Sequence, residues 1–178
     1  MISSRQEIGK IFDELINQKF ENSLDIGCGK CGVTKRLIQK GSKVTGIDIR
    51  DVLFQDKNFK FIKEDIRNFK FEEKYDFIVS SLILHFFQKE KSIELIKKMQ
   101  TSTKVNGINL LVCISSEDDL YKSNQKNFYP TLEEIKSIYS GWKTIKQVQD
   151  FTEMSTHQEN QEQHSHNLII IAFEKLSD

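Results

Sequence analysis

Proline is nearly missing from this chain: Pro130 is the only one in 178 residues. No Gly/Ser-rich linker, internal repeat or composition shift marks a domain boundary, so residues 1–178 read as a single domain. Cysteine is scarce too. Cys28, Cys31 and Cys113 are too few and too unevenly spaced for a disulfide framework, which suits a reducing compartment. No apolar run approaches the roughly 18 residues that a bilayer span requires. The first residues, Met1-Ile2-Ser3-Ser4-Arg5-Gln6-Glu7, carry no apolar signal core, so a cytoplasmic location with no membrane partner is expected. Neither sign of charge prevails: 26 Lys plus Arg balance 26 Asp plus Glu, which argues against the basic face of a dedicated nucleic-acid binder.

What is present alternates between helical and strand patterns. Ile8, Ile11, Phe12, Leu15, Ile16 and Phe20 recur at helical spacing, predicting an amphipathic helix over 5–20. Short apolar strands are expected at 23–26, 43–48, 59–63 and 75–80, and a long buried one at 108–114 after an Asn106-Gly107 turn. Helices are expected over 31–40, around Ile93 to Met99, and from the Thr131-Leu132-Glu133-Glu134 capping box to Tyr139. Residues 142–148 and 168–173 close the chain as two strands of an antiparallel hairpin, joined through a polar stretch. Strands alternating with helices predict an α/β fold with a mostly parallel sheet and an antiparallel edge.

Gly27-Cys28-Gly29-Lys30-Cys31-Gly32 completes a G-x-G-x-x-G between a predicted strand and a predicted helix, the context that gives the motif meaning. Glycines let the backbone turn sharply, and amides at the helix start can hold an anion or carboxylate. Asp48 ends the next strand, where a carboxylate can accept from both hydroxyls of a ribose. Two cofactors compete for this geometry, a nicotinamide dinucleotide and S-adenosylmethionine. Asp25, two residues before the first glycine, is poorly placed beside a pyrophosphate. It suits a cation, and so favours S-adenosylmethionine; its alternative role is to anchor the loop's own backbone.

These residues resemble those of class I S-adenosylmethionine-dependent methyltransferases. Leu24-Asp25-Ile26-Gly27-Cys28-Gly29 looks like their first motif, Gly46-Ile47-Asp48-Ile49 their second, Glu64-Asp65-Ile66-Arg67 their third and residues 75–82 their fourth. Lys104-Val105-Asn106-Gly107-Ile108 is similar to the turn before their fifth strand. The resemblance implies a Rossmann-like methyltransferase fold, a mostly parallel seven-stranded sheet with a C-terminal antiparallel hairpin and helices on both faces. It implies a cofactor held by Asp25, Gly27, Cys28, Gly29, Asp48, Ile49, Asp65, Ile66 and Ser80. A narrower resemblance, to the tellurite-resistance methyltransferase-like small-molecule group, rests on Met99-Gln100, the Asn106-Gly107 turn, Phe128 to Tyr139, Gly141-Trp142 and Glu153. The chain departs from that group's His-Arg pair, carrying Ser155-Thr156 there and Gln163 at a later basic position. The helix that the family places between Asp48 and Phe59 is expected to be absent.

Three of the four histidines, His157, His164 and His166, cluster with Glu153 in the polar stretch. His164 and His166 would share a face if both stood on one strand. Such a group can orient a substrate, remove a proton near neutral pH, bind a divalent metal, or simply be a solvated loop. His85, after the fourth strand, is a further candidate for substrate contact. The four are expected to serve as substrate-orienting or proton-removing residues, and no residue is assigned to a metal. Cys28-Gly29-Lys30-Cys31 supplies a C-x-x-C, but its place inside the glycine loop favours packing over redox use. The expected activity is methyl transfer to a small molecule by in-line displacement. A nicotinamide-dependent reductase and a non-catalytic cofactor-binding module are the alternatives.

Overall fold

The computed structural model describes residues 6–15, 17–152, 155–157 and 160–178, with side chains over 9–15, 17–122, 124–152 and 165–178. Its centre is a sheet of seven strands: β1 (Asn22–Ile26), β2 (Lys43–Asp48), β3 (Phe59–Lys63), β4 (Tyr75–Ser81), β5 (Thr103–Ile114), β6 (Lys143–Phe151) and β9 (Asn167–Glu174). They lie in the order β3-β2-β1-β4-β5-β9-β6. The first five positions are parallel. β9 runs antiparallel to both β5 and β6. A strand buried on both faces needs an unbroken apolar run, and β9 (NLIIIAFE) has one, burying all but its last residue.

Alternate residues of the strands feed two cores, one on each face. Ile11 and Phe12 of α1 (Gln6–Leu15) and Leu37 of α2 (Gly32–Gln39) pack on Phe77, Val79, Leu110 and Val112. On the other face α3 (Lys89–Ser102) brings Leu95, Ile96 and Met99, and α5 (Leu132–Ile138) brings Ile135, against Leu24, Ile78, Leu111 and Ile171. α5 opens as the capping box predicts: the Thr131 side chain accepts from the Glu134 amide. Tyr139, just past it, stacks on Phe173 at 4.2 Å. Its hydroxyl accepts from Asn109 Nδ2, so the buried Asn109 is satisfied.

Three features differ from the sequence expectations. The Asn106-Gly107 turn is absorbed into β5, which already begins at Thr103. Asn106 takes a left-handed φ of 63° there, and the pairing with β4 shifts between Tyr75 and Phe77. A short α4 (Asp119–Ser123) follows β5. The polar stretch holds a separate two-stranded ribbon, β7 (Ser155–His157) with β8 (Asn160–His164). β8 ends at His164 and β9 begins at Asn167, so His166 stands between strands and the two histidines do not stand on one strand. Residues 49–58 contain no helix, as expected. No helix among the described residues is long and apolar enough to cross a membrane.

The parallel strands β1 to β4 all end at one edge of the sheet. Here β1 connects outward to β2 while β4 lies on its other side, and this reversal opens a crevice beyond the strand tips.

Candidate functional site

The glycine loop reaches that crevice through Gly27. Gly27 (φ 69°) and Gly29 (φ 50°) adopt left-handed conformations open to glycine at little cost. The amides of Gly27 and Cys28 both donate to Ile47 O, tying the loop to β2. The Gly29 amide donates to Asp48 Oδ2 at 2.9 Å. The third glycine is not demanded by space, since a Cβ on Gly32 would meet nothing within 4 Å. The left-handed turn at this point is made by Cys31 (φ 60°), which is fully buried. Cys28 is buried as well, and its sulfur stands 3.0 Å from where a Cβ on Gly46 would be. Burial pushes both thiols above their usual range, which makes them poor nucleophiles.

Asp25 lies behind this loop. Its Oδ2 accepts from the Thr34 amide at 3.1 Å and the Thr34 hydroxyl at 2.6 Å, fastening the start of α2. Burial raises its pKa to about 6 against these two bonds, and the charge of Asp48 adds to the rise. The loop-anchoring alternative for Asp25 is therefore present in the geometry.

The crevice itself is a cleft of about 450 Å³, a size suited to a small organic ligand. Gly27, Asp48, Ile49, Asp65 and Ile66 line it; Asp25, Cys28, Gly29 and Ser80 do not reach its wall. Ile49 and Phe86 expose large apolar surface at its rim. Leu82, also on the wall, is held at φ 54°, an unfavourable conformation for a branched side chain and one that concentrates at functional sites.

Two acids at the strand tips each carry an arginine that the sequence reading did not single out. Asp48 accepts from the Arg50 amide and side chain, and Asp65 from the Arg67 amide and side chain. Burial pushes Asp48 upward, but the bonds from Arg50 and Gly29 outweigh it and hold the carboxyl below its usual value. The signal was in the sequence: the tripeptide Asp-Ile-Arg occurs at 48–50 and again at 65–67.

Beyond β4 and β5 lies a second polar group. Asp118 Oδ1 accepts from the Leu120 amide, and its Oδ2 accepts from the Asn167 amide at 2.7 Å and pairs with His166 Nδ1 at 3.2 Å. His85, in a short 3-10 turn (Leu84–Phe86), packs against Phe86 and Tyr129. Burial, helped by the charge of His166 and opposed by that of Asp118, lowers the His85 pKa to about 4. Among the described residues only two buried side-chain polar atoms have no hydrogen-bond partner, Ser80 Oγ and His85 Nδ1. Both sit at or just past the end of β4. The structure thus brings together His85 and His166, and adds Asp118. Glu153 and the side chains of His157 and His164 lie outside the described residues. Phe128 and Tyr129 are buried. Among the described residues no group of three or more His, Cys, Asp or Glu stands together as a metal site.

The strand order, the glycine loop after β1 and the acid at the tip of β2 define the class I S-adenosylmethionine-dependent methyltransferase fold. The chain belongs to the family described as tellurite resistance protein TehB, whose model matches residues 9–173. A probable S-adenosyl-L-methionine-dependent methyltransferase TehB of Haemophilus influenzae (strain 10810) is 30% identical over 146 residues, covering 77% of this chain and 51% of the relative. This chain therefore spans about half the length of the curated relatives that it matches. The crystal structure of TehB from Haemophilus influenzae superposes with a TM-score of 0.74 at 23% identity, covering 94% of this chain and 62% of that one. The N-methyltransferase NodS from Bradyrhizobium japonicum, in complex with S-adenosyl-L-homocysteine, superposes with a TM-score of 0.73 at 15% identity, over 99% and 89% of the two chains.

Proposed function

We propose that the chain is a methyltransferase that binds S-adenosylmethionine in the crevice at the tips of β1 to β4 and methylates a small molecule by in-line displacement. The observation that carries this reading is the pairing of Gly29 and Asp48: a glycine-loop amide donates to a carboxylate at the tip of the neighbouring strand, on the wall of the cleft. Membership of the TehB family supports it.

The residues present fit the cofactor. Asp48 offers acceptor oxygens for the ribose, Ile49 and Ile66 apolar surface for the adenine, and Asp65 an acceptor beside it. Ser80 Oγ is buried without a partner near the end of β4, but it does not line the cleft. Asp25 stands behind the loop as a second negative charge, favourable to a cationic ligand. When bound, S-adenosylmethionine supplies an activated methyl group for displacement by a nucleophile.

The protein's own contribution is alignment and exclusion of water. Leu82, Ile83, Phe86 and Phe87 give the cleft an apolar end past β4. His85, neutral above its lowered pKa of about 4, leaves Nδ1 free to accept a proton-bearing group of the acceptor. His166, steadied by Asp118, stands by as a second imidazole; His157 and His164 complete the set proposed for acceptor handling. The acceptor is read as a small molecule and the location as cytoplasmic. The test is a thermal-shift comparison of S-adenosylhomocysteine with NADH and NADPH. Stabilisation by the first alone supports the reading, and stabilisation only by a nicotinamide dinucleotide favours the reductase.

A further inference from the structure

We propose that Arg50 occupies the ribose subsite of the cleft, so that its guanidinium competes with the ligand for Asp48 and must be displaced by a vicinal diol. This rests on the cofactor reading above. Each oxygen of the Asp48 carboxylate already has one backbone donor, the Gly29 amide on Oδ2 and the Arg50 amide on Oδ1, both at 2.9 Å. The remaining acceptor capacity of each is met by one arm of the same guanidinium, Nε on Oδ1 at 3.2 Å and Nη2 on Oδ2 at 3.4 Å. Two donors side by side on one carboxylate are what a cis-diol also presents. The guanidinium and the ribose ask for the same lone pairs and cannot both have them.

The pair is built to open. Charge-assisted N–H···O bonds usually measure about 2.7–2.9 Å, so both guanidinium contacts are loose. The arginine side chain is 76% exposed while that of Asp48 is 5% exposed. The cation lies on the solvent side and can swing away without breaking any packing. Its Nη2 lies 3.6 Å from where a Cβ on Gly29 would stand, over the glycine loop at the entrance a ligand would use. At the tip of β3 the tripeptide repeats the device: the Arg67 guanidinium binds both oxygens of Asp65, with its side chain 63% exposed. Asp48 and Asp65 are thus each covered by an arginine two residues on.

Competition of this kind penalises only ligands that use Asp48. It raises selectivity for a ribose that offers both hydroxyls, because an incomplete diol gains less than the guanidinium gives up. It also fades with salt, which weakens an exposed ion pair.

The experiment is a calorimetric titration of the full chain with adenosine, adenine and S-adenosylhomocysteine, for wild type and Arg50→Ala, at low and moderate salt. Adenosine is uncharged, so removing a cation does not attract it by charge alone. Arg50→Ala should bind adenosine about two- to fivefold more tightly, the worth of an exposed ion pair, with adenine affinity unchanged. Raising salt should bring wild-type adenosine affinity toward that of the variant, whose own affinity stays flat. Arg50→Lys, which keeps the charge but loses the fork, should also bind adenosine more tightly than wild type. Equal or weaker adenosine binding by Arg50→Ala overturns the proposal, as does an equal gain for adenine. If wild type binds S-adenosylhomocysteine but the variant gains nothing, Arg50 alone was misassigned. If wild type binds neither nucleoside ligand, the cofactor reading falls with it.

Discussion

Asp118 and His166 meet at 3.2 Å although 48 positions separate them in the chain. The contact joins the loop after β5 to the entry of β9, and the adjacent Asn167 amide donates to the same carboxylate oxygen at 2.7 Å. Asp118 therefore does two jobs. It caps α4 through the Leu120 amide, and it pairs with the His166 imidazole.

Asp118→Ala should cost stability, because two amides and an imidazole lose a buried acceptor; about 1–3 kcal/mol is expected for groups left unpaired. Asp118→Asn keeps one acceptor oxygen but sets an NH2 donor against the other backbone amide, so it should recover only part of that loss. If Asp118 also positions His166 for the acceptor, Asp118→Asn should still raise KM for the acceptor while leaving cofactor affinity unchanged. Denaturant titration and steady-state kinetics on the two variants read these effects separately. Equal stability of Asp118→Ala and wild type would contradict the assigned bonds.

Asp25 and His85 should oppose one another in acid. Asp25 is raised from 3.8 to about 6, so between those values the folded chain holds a proton that the unfolded chain releases, and stability falls as pH rises. His85 is lowered from 6.5 to about 4, so over nearly the same window the unfolded chain holds the extra proton, and stability rises with pH. Each effect is on the order of 3 kcal/mol, and in wild type they largely cancel. Asp25→Asn should unmask a melting temperature that climbs from pH 4 to 6.5; His85→Gln should unmask one that falls from pH 4 to 6. Parallel pH profiles for the two variants would contradict the opposition.

The lowered pKa of His85 also bears on catalysis. A histidine already neutral above about 4 cannot produce a titration between pH 5.5 and 8. Replacing His85 with Gln should therefore lower the single-turnover rate by a similar factor across that range, leaving the shape of the profile unchanged. A pH step in that window that disappears in His85→Gln would contradict the neutral role.

Gly27→Ala should impair both loop and cleft. A Cβ there would stand 2.7 Å from Ile83 Cδ1, and φ 69° is itself unfavourable for alanine. Loss of about 1–3 kcal/mol in stability and a clear loss of S-adenosylhomocysteine binding are expected. Gly32→Ala, with open space around it, should leave binding close to wild type, and comparing the two titrations checks the distinction.

Local chemistry explains what the sequence made legible. The strand tips Ile26-Gly27 and Ile47-Asp48 could be read because an apolar run, a left-handed glycine and a terminal acid are all short-range signals. β9 declared itself by its unbroken Leu-Ile-Ile-Ile-Ala-Phe run. By contrast, Asp118 sits within Glu117-Asp118-Asp119, which reads as solvated acid; only the fold supplies His166. The third glycine of the loop misled in the other direction, since a complete motif hid that Cys31 makes the turn. The ribbon β7–β8 has no apolar alternation to announce it. Asn106-Gly107 has the signature of a turn, yet pairing on both sides carried it into β5.

The most direct test of the central claim, that Asp48 at the tip of β2 holds an adenosyl cofactor, is calorimetric titration of S-adenosylhomocysteine into wild type and Asp48→Ala. Two charge-assisted hydrogen bonds at roughly 1.5–3 kcal/mol each, partly offset by water, give an expected loss of about 2–4 kcal/mol. The competing Arg50 places it toward the lower end. Wild type should bind with one site, and Asp48→Ala should bind at least tenfold more weakly. Identical affinities for the two proteins, or no heat from wild type, would contradict the account.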